Sequence, residues 1–250
     1  MLLYLNLKQR DRMIPNKKNL IYFVVWLTIS VLLTYACSAT PETVSMRLTA
    51  ILASEDGCVA PCWQSIIPGE SSEDNLLQVI DSFTSSEFSD LNVAQLRPVG
   101  VEFLWRNREL ETFIRVRLHD DEIILLGFHP HHDDFSLSMI TEALGQPDSY
   151  GASILGSEKY FVMITLIYEA KGVVFETRIP ISIDQLQVIQ ATCEFESDWT
   201  VPSGNTSIYF LEPGIADEMV RTDPIGNFHN PTHSPQMWTN TMPLKLTMCP

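Results

Sequence analysis

The chain has 250 residues, of which 45% are hydrophobic and 19% are charged. Its 16 basic and 31 acidic residues give a formal net charge of −15, and so acidic a chain lacks the basic surface that nucleic acid requires. Eleven glycines and fifteen prolines are an ordinary share for a globular protein, which excludes collagen-like and low-complexity chains. We therefore expect a folded protein with no nucleic-acid partner.

The first 36 residues have the pattern of an export signal. A basic N-terminal region is followed by an apolar run over 20–36 without any charge, and then by small residues around Cys37. The basic residues are Lys8, Arg10, Arg12, Lys17 and Lys18. This order is typical of a secretory signal, so we predict that residues 1–36 are a signal peptide or a membrane anchor.

Cys37 is a candidate for lipid attachment. The stretch 34–37 resembles a bacterial lipobox, with Ala36 before the cysteine and Thr34 where leucine or valine is usual. Cleavage before Cys37 with lipidation would anchor the protein, cleavage near Ala39 would secrete it, and an uncleaved anchor is the third alternative. In all three cases the rest of the chain is extracytoplasmic.

Membrane attachment is expected only through the N-terminus. After Cys37 the chain has 11 basic and 30 acidic residues, a net charge of −19. Such a charge repels anionic lipid headgroups, so a basic face cannot be the anchor.

The number of cysteines, five, is consistent with export. With Cys37 lipidated, an even set of four remains for two disulfides, namely Cys58, Cys62, Cys193 and Cys249. We predict that the neighbours Cys58 and Cys62 pair, since Pro61 bends the chain between them, and that Cys193 pairs with Cys249. The alternatives for Cys58 and Cys62 are a metal or redox pair, or free thiols.

The pattern in the first half of the body predicts two helices and three strands. Helices are expected over 43–54 and after Gly69, where Ser71 or Ser72 can act as N-cap. Alternating apolar residues predict strands over 101–106 and 114–119, and an apolar run predicts a third over 122–128.

A similar order recurs in the second half. A helix over 135–144 ends at Gly145 and Pro147. Apolar runs then predict strands over 159–169, 173–179 and 186–195, and 206–211 is a candidate for one more. The fold class is therefore α+β, an antiparallel sheet or sheets with helices on one face, built from a duplicated unit of a helix and three strands.

Five segments describe the organisation of the chain. After the signal, we expect an N-terminal helix with the cysteine loop over 37–69, a first α+β unit over 70–130 and a second over 131–211. Prolines are frequent after Glu212, so residues 212–250 are predicted to form an irregular C-terminal arm.

The cysteine loop resembles a family of uncharacterised exported bacterial proteins, many of which have lipoprotein signals. The shared pattern is a cysteine, Pro-Cys-Trp, an apolar residue, Pro-Gly and then a serine or threonine. The matching residues are Cys58, Pro61, Cys62, Trp63, Ile66, Pro68, Gly69 and Ser71, and the helix end at 144–147 is similar too. The resemblance implies export and carries no assigned activity.

A second similarity is to small outer-membrane assembly lipoproteins. These share a Gly-x-Ser/Thr helix start, here 69–71, and a Leu-Gly-x-Pro helix end, here 144–147. The resemblance implies a scaffolding role in envelope protein complexes, hence an envelope protein as a possible partner.

The strongest cluster of potential ligands is His129, His131 and His132 with Asp133. Imidazole and carboxylate groups suit Zn²⁺, Ni²⁺ or Cu²⁺, and the alternative is a loop in which Asp133 or Asp134 caps the following helix. The sequence has no nucleophile elbow, zinc-protease helix or phosphate-binding glycine loop, so we name no catalytic residue and no cofactor.

We therefore expect an exported, membrane-anchored, non-enzymatic envelope protein that binds a protein or a small ligand. The alternative is a metal-binding protein or metal-dependent hydrolase that uses the loop 129–132.

Overall fold

The structure is a computed structural model that describes residues 41–53, 57–83, 88–96, 100–108, 110–130, 135–156, 158–196, 204–222, 236–237 and 244–246. Apart from Pro41, these residues belong to one compact unit, Glu42–Pro250. None of the helices in these ranges is both long enough and apolar enough to cross a bilayer.

The helices of the described residues are α1 (Pro41–Leu52), α2 (Glu73–Ser82), α3 (Leu137–Leu144), α4 (Ile183–Thr192) and α5 (Ala216–Thr222). The first strands in chain order are β1 (Phe88–Leu96), β2 (Gly100–Asn107), β3 (Thr112–His119), β4 (Glu122–Pro130), β5 (Ser149–Leu155) and β6 (Tyr160–Tyr168). The remaining strands are β7 (Val173–Ile181), β8 (Glu194–Phe195), β9 (Gly204–Phe210), β10 (Gln236–Met237) and β11 (Leu244–Lys245).

One antiparallel sheet joins two meanders through a single late strand. Its order is β1-β2-β3-β4-β9-β7-β6-β5-β10. Strands β1 to β4 form the first meander and β5 to β7 the second, while β9 pairs with β4 on one side and with β7 on the other. A separate ladder joins β8 to β11. Every pairing in the large sheet is antiparallel, as the sequence predicts.

The first face of the sheet carries the main core. Alternate residues of each strand point to this face, for example Phe103, Val116 and Phe128, and they pack in one cluster with apolar residues of α1, α2, α3 and α4. Because a strand places every second side chain on the same face, this core uses the apolar positions that alternate along β2 and β3.

The second face of the sheet is covered in part by α5. Ala216 and Val220 of this helix pack with a smaller apolar cluster on the sheet, formed by Leu125, Ile167, Val174, Tyr209 and Leu211. Helices therefore contact both faces, although four of the five described helices pack on the first.

The α+β class is confirmed, and several element predictions are corrected. The first meander has four strands after α2 and the second has three after α3, so the two units are not equal in strand number. The predicted strands 101–106, 114–119 and 122–128 are present as β2, β3 and β4, but β1 and β5 had no predicted counterpart. The segment expected to be irregular contains α5.

The strand predicted over 186–195 is wrong, because most of it is helix α4. Ser182 accepts a hydrogen bond from the backbone N–H of Gln185, and the Gln185 side chain accepts one from the Ser182 N–H. This reciprocal capping starts a helix, and Leu186 and Ile189 are its buried residues. Their spacing of three matches a helical face.

Gly172 allows the 3₁₀ turn after β6 to pass close to the chain beyond β9. Its φ is +58°, and a Cβ there would lie 2.2 Å from the backbone oxygen of Leu211. We expect Gly172→Ala to lower the free energy of unfolding by at least about 2 kcal/mol, because both the left-handed conformation and the backbone contact oppose a side chain.

Gly214→Ala is the matched control, measured by urea unfolding alongside it. Gly214 has φ +91°, but nothing lies within 4 Å of the position of its Cβ. It should lose only the conformational part of the effect. Equal losses in the two variants would contradict the close approach at Gly172.

Candidate functional site

The cysteine loop between α1 and α2 is closed by a disulfide between Cys58 and Cys62, as predicted, with their Cα atoms 5.3 Å apart. Trp63 follows directly and is 1% exposed. Its ring packs among three aromatic rings of the first-face core, with centroids at 6.1 Å from Phe83, 6.4 Å from Trp105 and 5.7 Å from Phe128. The disulfide therefore lies beside an aromatic anchor that ties the loop to the sheet.

Cys193 also takes part in a disulfide. The strand β11 pairs with β8 immediately after this cysteine, and the Leu246 N–H donates to the Cys193 carbonyl at 3.0 Å. This ladder brings the C-terminal segment to Cys193. Cys249 lies outside the described residues, so its pairing with Cys193 stays a prediction, as does lipid attachment at Cys37.

A polar cluster on the second face of the sheet is the candidate functional site. We call it the arginine patch and define it by Arg106, Phe113, Arg115 and His129. The register brings these residues together, because Arg106 lies opposite Phe113, Phe113 opposite His129, and Arg115 opposite Gly127. Phe113 is 37% exposed and the other three are half-buried. The patch is thus an accessible mixture of cationic and aromatic groups.

Two contacts organise the arginines. The guanidinium carbon of Arg106 lies 5.9 Å from the centroid of the Phe113 ring, a cation–π distance. Glu102 lies between two further arginines, since its Oε2 is 2.6 Å from Arg117 Nε and 3.4 Å from Arg115 Nε. One carboxylate is therefore shared by two guanidinium groups.

His129 is held by β9, which is distant in sequence. Its Nδ1 lies 2.8 Å from Ser207 Oγ, and its ring meets the Tyr209 ring edge-on with centroids 5.6 Å apart. Gly127 makes room for this stacking, because a Cβ there would lie 3.2 Å from Tyr209 Cδ1 and 3.3 Å from His129 Nε2. The orientation of the imidazole thus depends on the insertion of β9 beside β4.

Tyr209 continues the polar cluster toward β7. Burial, reinforced by the negative charge of Glu176, raises the pKa of the Tyr209 phenol well above its ordinary value of 10. Glu176 itself is 3% exposed and accepts a hydrogen bond of 3.2 Å from Thr165 Oγ1. On the first face, burial and then the charge of Asp148 raise the pKa of Tyr168 in the same way.

These tyrosines predict a loss of stability in alkali. The raised pKa values of Tyr168 and Tyr209 mean that the unfolded chain releases these protons first as the pH rises above about 10. The free energy of unfolding should therefore be unaffected by them below pH 10 and fall by about 1.4 kcal/mol per pH unit for each phenol above it.

Urea unfolding at pH 9, 10 and 11 measures this slope. Tyr168→Phe and Tyr209→Phe should each reduce it, because each removes one proton that the two states bind differently. An unfolding free energy in the wild-type chain that does not change between pH 9 and pH 11 would contradict the assignment.

Of the four predicted metal ligands, His129 alone lies within the described residues. His129 lies on β4 and contacts Ser207, whereas His131, His132 and Asp133 lie outside the described residues. Where the chain is described, no three His, Cys, Asp or Glu side chains are grouped so that they could hold a metal ion. His129 is thus the one member of the predicted set whose surroundings are known.

The sequence pattern did not predict that four residues of this region lie in one cluster, namely Arg106, Phe113, Arg115 and Tyr209. The alternation along β2 and β3 does place Arg106 and Arg115 on the face opposite the core, which was the available signal. Comparisons with protein-family models, curated proteins and solved structures found no match to this chain.

Proposed function

We propose that this chain is an exported, membrane-anchored, non-enzymatic protein of the cell envelope that binds a protein or a small ligand at the arginine patch. The observation that carries the binding part is the solvent-accessible cluster of Arg106, Phe113, Arg115 and His129 on the second face of the sheet. Aromatic and arginine side chains are the types enriched at binding hot spots.

Export is supported by the N-terminal signal pattern and by the cysteines. Cys58, Cys62 and Cys193 are all disulfide-bonded, and structural disulfides persist mainly in oxidising compartments. The anchor is either the lipid on Cys37, after cleavage of the apolar run that precedes it, or the uncleaved apolar run itself.

The chemistry of the patch supports a binding role. Arg106 and Arg115 offer planar sets of hydrogen-bond donors, and Phe113 offers an exposed aromatic ring. These groups suit recognition of a bound molecule rather than proton transfer to it.

Site-directed photo-crosslinking in the native membrane fraction tests the binding face. A benzophenone amino acid at Phe113 should give a discrete adduct, whereas the same group at Val188 of α4 or Met46 of α1 should not, although these side chains are 60% and 67% exposed. The adduct at position 113 should disappear when Arg115→Gln is added. No adduct at position 113, or the same adducts at all three positions, would contradict the proposal.

A further inference from the structure

The cations of this acidic protein are concentrated on the second face of the sheet. The body after Cys37 has a net charge of −19 and only 11 lysines and arginines. Four of these eleven lie on this face by strand register, namely Arg106, Arg115, Arg117 and Arg178. The same face also holds Glu102 and Glu176 in the rows of these arginines, and α5, which covers part of it, adds Asp217 and Glu218.

Within this face, the arginine patch has the largest share of accessible positive charge. Arg117 is buried and lies 2.6 Å from Glu102, whereas the Arg115 side chain is 28% exposed and lies 3.4 Å from the same carboxylate. Arg106 is half-buried over the Phe113 ring. Of the two guanidinium groups beside Glu102, that of Arg115 is therefore the more accessible to solvent.

The spacing of the two accessible arginines suits one anionic group. Arg106 lies opposite Phe113, two residues from Arg115 on the same face. Such diagonal neighbours in an antiparallel pair are about 7–8 Å apart at the backbone, within reach of long side chains. Guanidinium groups bind carboxylate and phosphate through paired hydrogen bonds, so two of them at this separation can hold one such group from both sides.

We infer that the arginine patch binds a small organic anion, with its carboxylate or phosphate group between Arg106 and Arg115 and its planar part against the exposed Phe113 ring. His129, oriented by Ser207, borders the same position. This inference rests on the proposed function, because it names the ligand class of that site.

Ligand-observed NMR titrations of the full chain in a non-ionic detergent test the inference with three aromatic probes. Benzoate carries a carboxylate, phenyl phosphate carries a phosphate, and benzamide has nearly the shape of benzoate without the charge. At least one anion should bind about tenfold more tightly than benzamide, the margin that a charge-assisted pair of hydrogen bonds provides. The tighter of the two anions identifies the preferred group.

Four variants assign the affinity to the patch. Arg106→Gln and Arg115→Gln should each weaken anion binding about tenfold, and Arg115→Lys should weaken it less, because it keeps the charge and loses the paired geometry. Lys159→Gln is the control for net charge, since this exposed lysine precedes β6, about 19 Å or four strand spacings from β3. It should change the affinity less than about twofold.

Three results would overturn the inference. They are the absence of binding by both anions, equal binding of benzoate and benzamide, and anion affinity that is unchanged in both Gln variants. If one of these occurs while cross-linking at Phe113 remains specific, the ligand class is wrong and the proposed function stands. If the cross-link also fails, both are wrong.

Discussion

Trp63→Ala should lower the free energy of unfolding by about 3–5 kcal/mol, the loss expected when a buried aromatic side chain is removed from a packed core. The side chain is 1% exposed. Its three ring neighbours come from the end of α2, from β2 and from β4, with centroids 5.7–6.4 Å away. Because these neighbours belong to different elements, no single one can move to fill the cavity.

Urea unfolding followed by far-UV circular dichroism measures the loss, with Val59→Ala as the matched control. Val59 lies in the same loop, between the two bonded cysteines, and is 64% exposed. Its truncation should cost less than about 0.5 kcal/mol. A loss below about 1 kcal/mol in Trp63→Ala would mean that the loop is not anchored through this ring.

Phe210→Ala should also cost about 3–5 kcal/mol, and it should destabilise both meanders together. Phe210 is fully buried, pairs by register with Leu126 of β4 and with Val173 of β7, and its ring lies 5.0 Å from Phe128. Because β9 is the strand between the two meanders in the sheet, a cavity at this point removes packing from each of them.

Hydrogen exchange in β3 and β6 under native conditions measures both effects. In Phe210→Ala, protection should fall in both strands by similar free energies. Ile208→Val on the same strand is the conservative control and should cost about 0.5–1.5 kcal/mol. Loss of protection in β6 alone, with β3 unchanged, would contradict the joining role of β9.

The local parts of the fold were predictable from sequence. Along β3, Ile114, Val116 and Leu118 alternate with Arg115 and Arg117, and the first set is buried on the core side. The α2 start after Gly69 follows from Ser72, whose backbone N–H donates to Asn75 at 2.9 Å, and from the acidic first turn. Strand alternation and helix capping depend on residues within a few positions of one another, so they can be predicted from one sequence.

The wrong strand prediction over 186–195 has a local physical cause. In α4, Val188 and Ile189 favour a strand by intrinsic propensity. The capping box of Ser182 and Gln185 favours a helix, and so does the burial of Leu186 and Ile189 on one helical face. Tertiary packing favours the helical over the strand periodicity here. In a short apolar segment the sequence alone does not distinguish the two.

The candidate site depends on the pairing of strands that are far apart in sequence, and the sequence pattern does not predict this pairing. His129 was identified as a possible metal ligand from its neighbours in sequence, yet its observed contacts are Ser207 and Tyr209, about 80 residues later. Those contacts exist because β9 inserts between β4 and β7. The same insertion orients His129 at the edge of the arginine patch.

We propose an exported, membrane-anchored module with two disulfides, and the intact mass of the protein from its native membrane fraction tests both features and shows whether Cys37 carries lipid. For the lipidated form we expect the mass of residues 37–250 plus a diacylglyceryl or triacyl group, increasing by about 4 Da on reduction, two hydrogens for each disulfide. An unlipidated mass that begins near Ala39 would contradict the anchor and retain export. A mass that begins at Met1 or Met13 and does not change on reduction would contradict both the lipid anchor and the two disulfides.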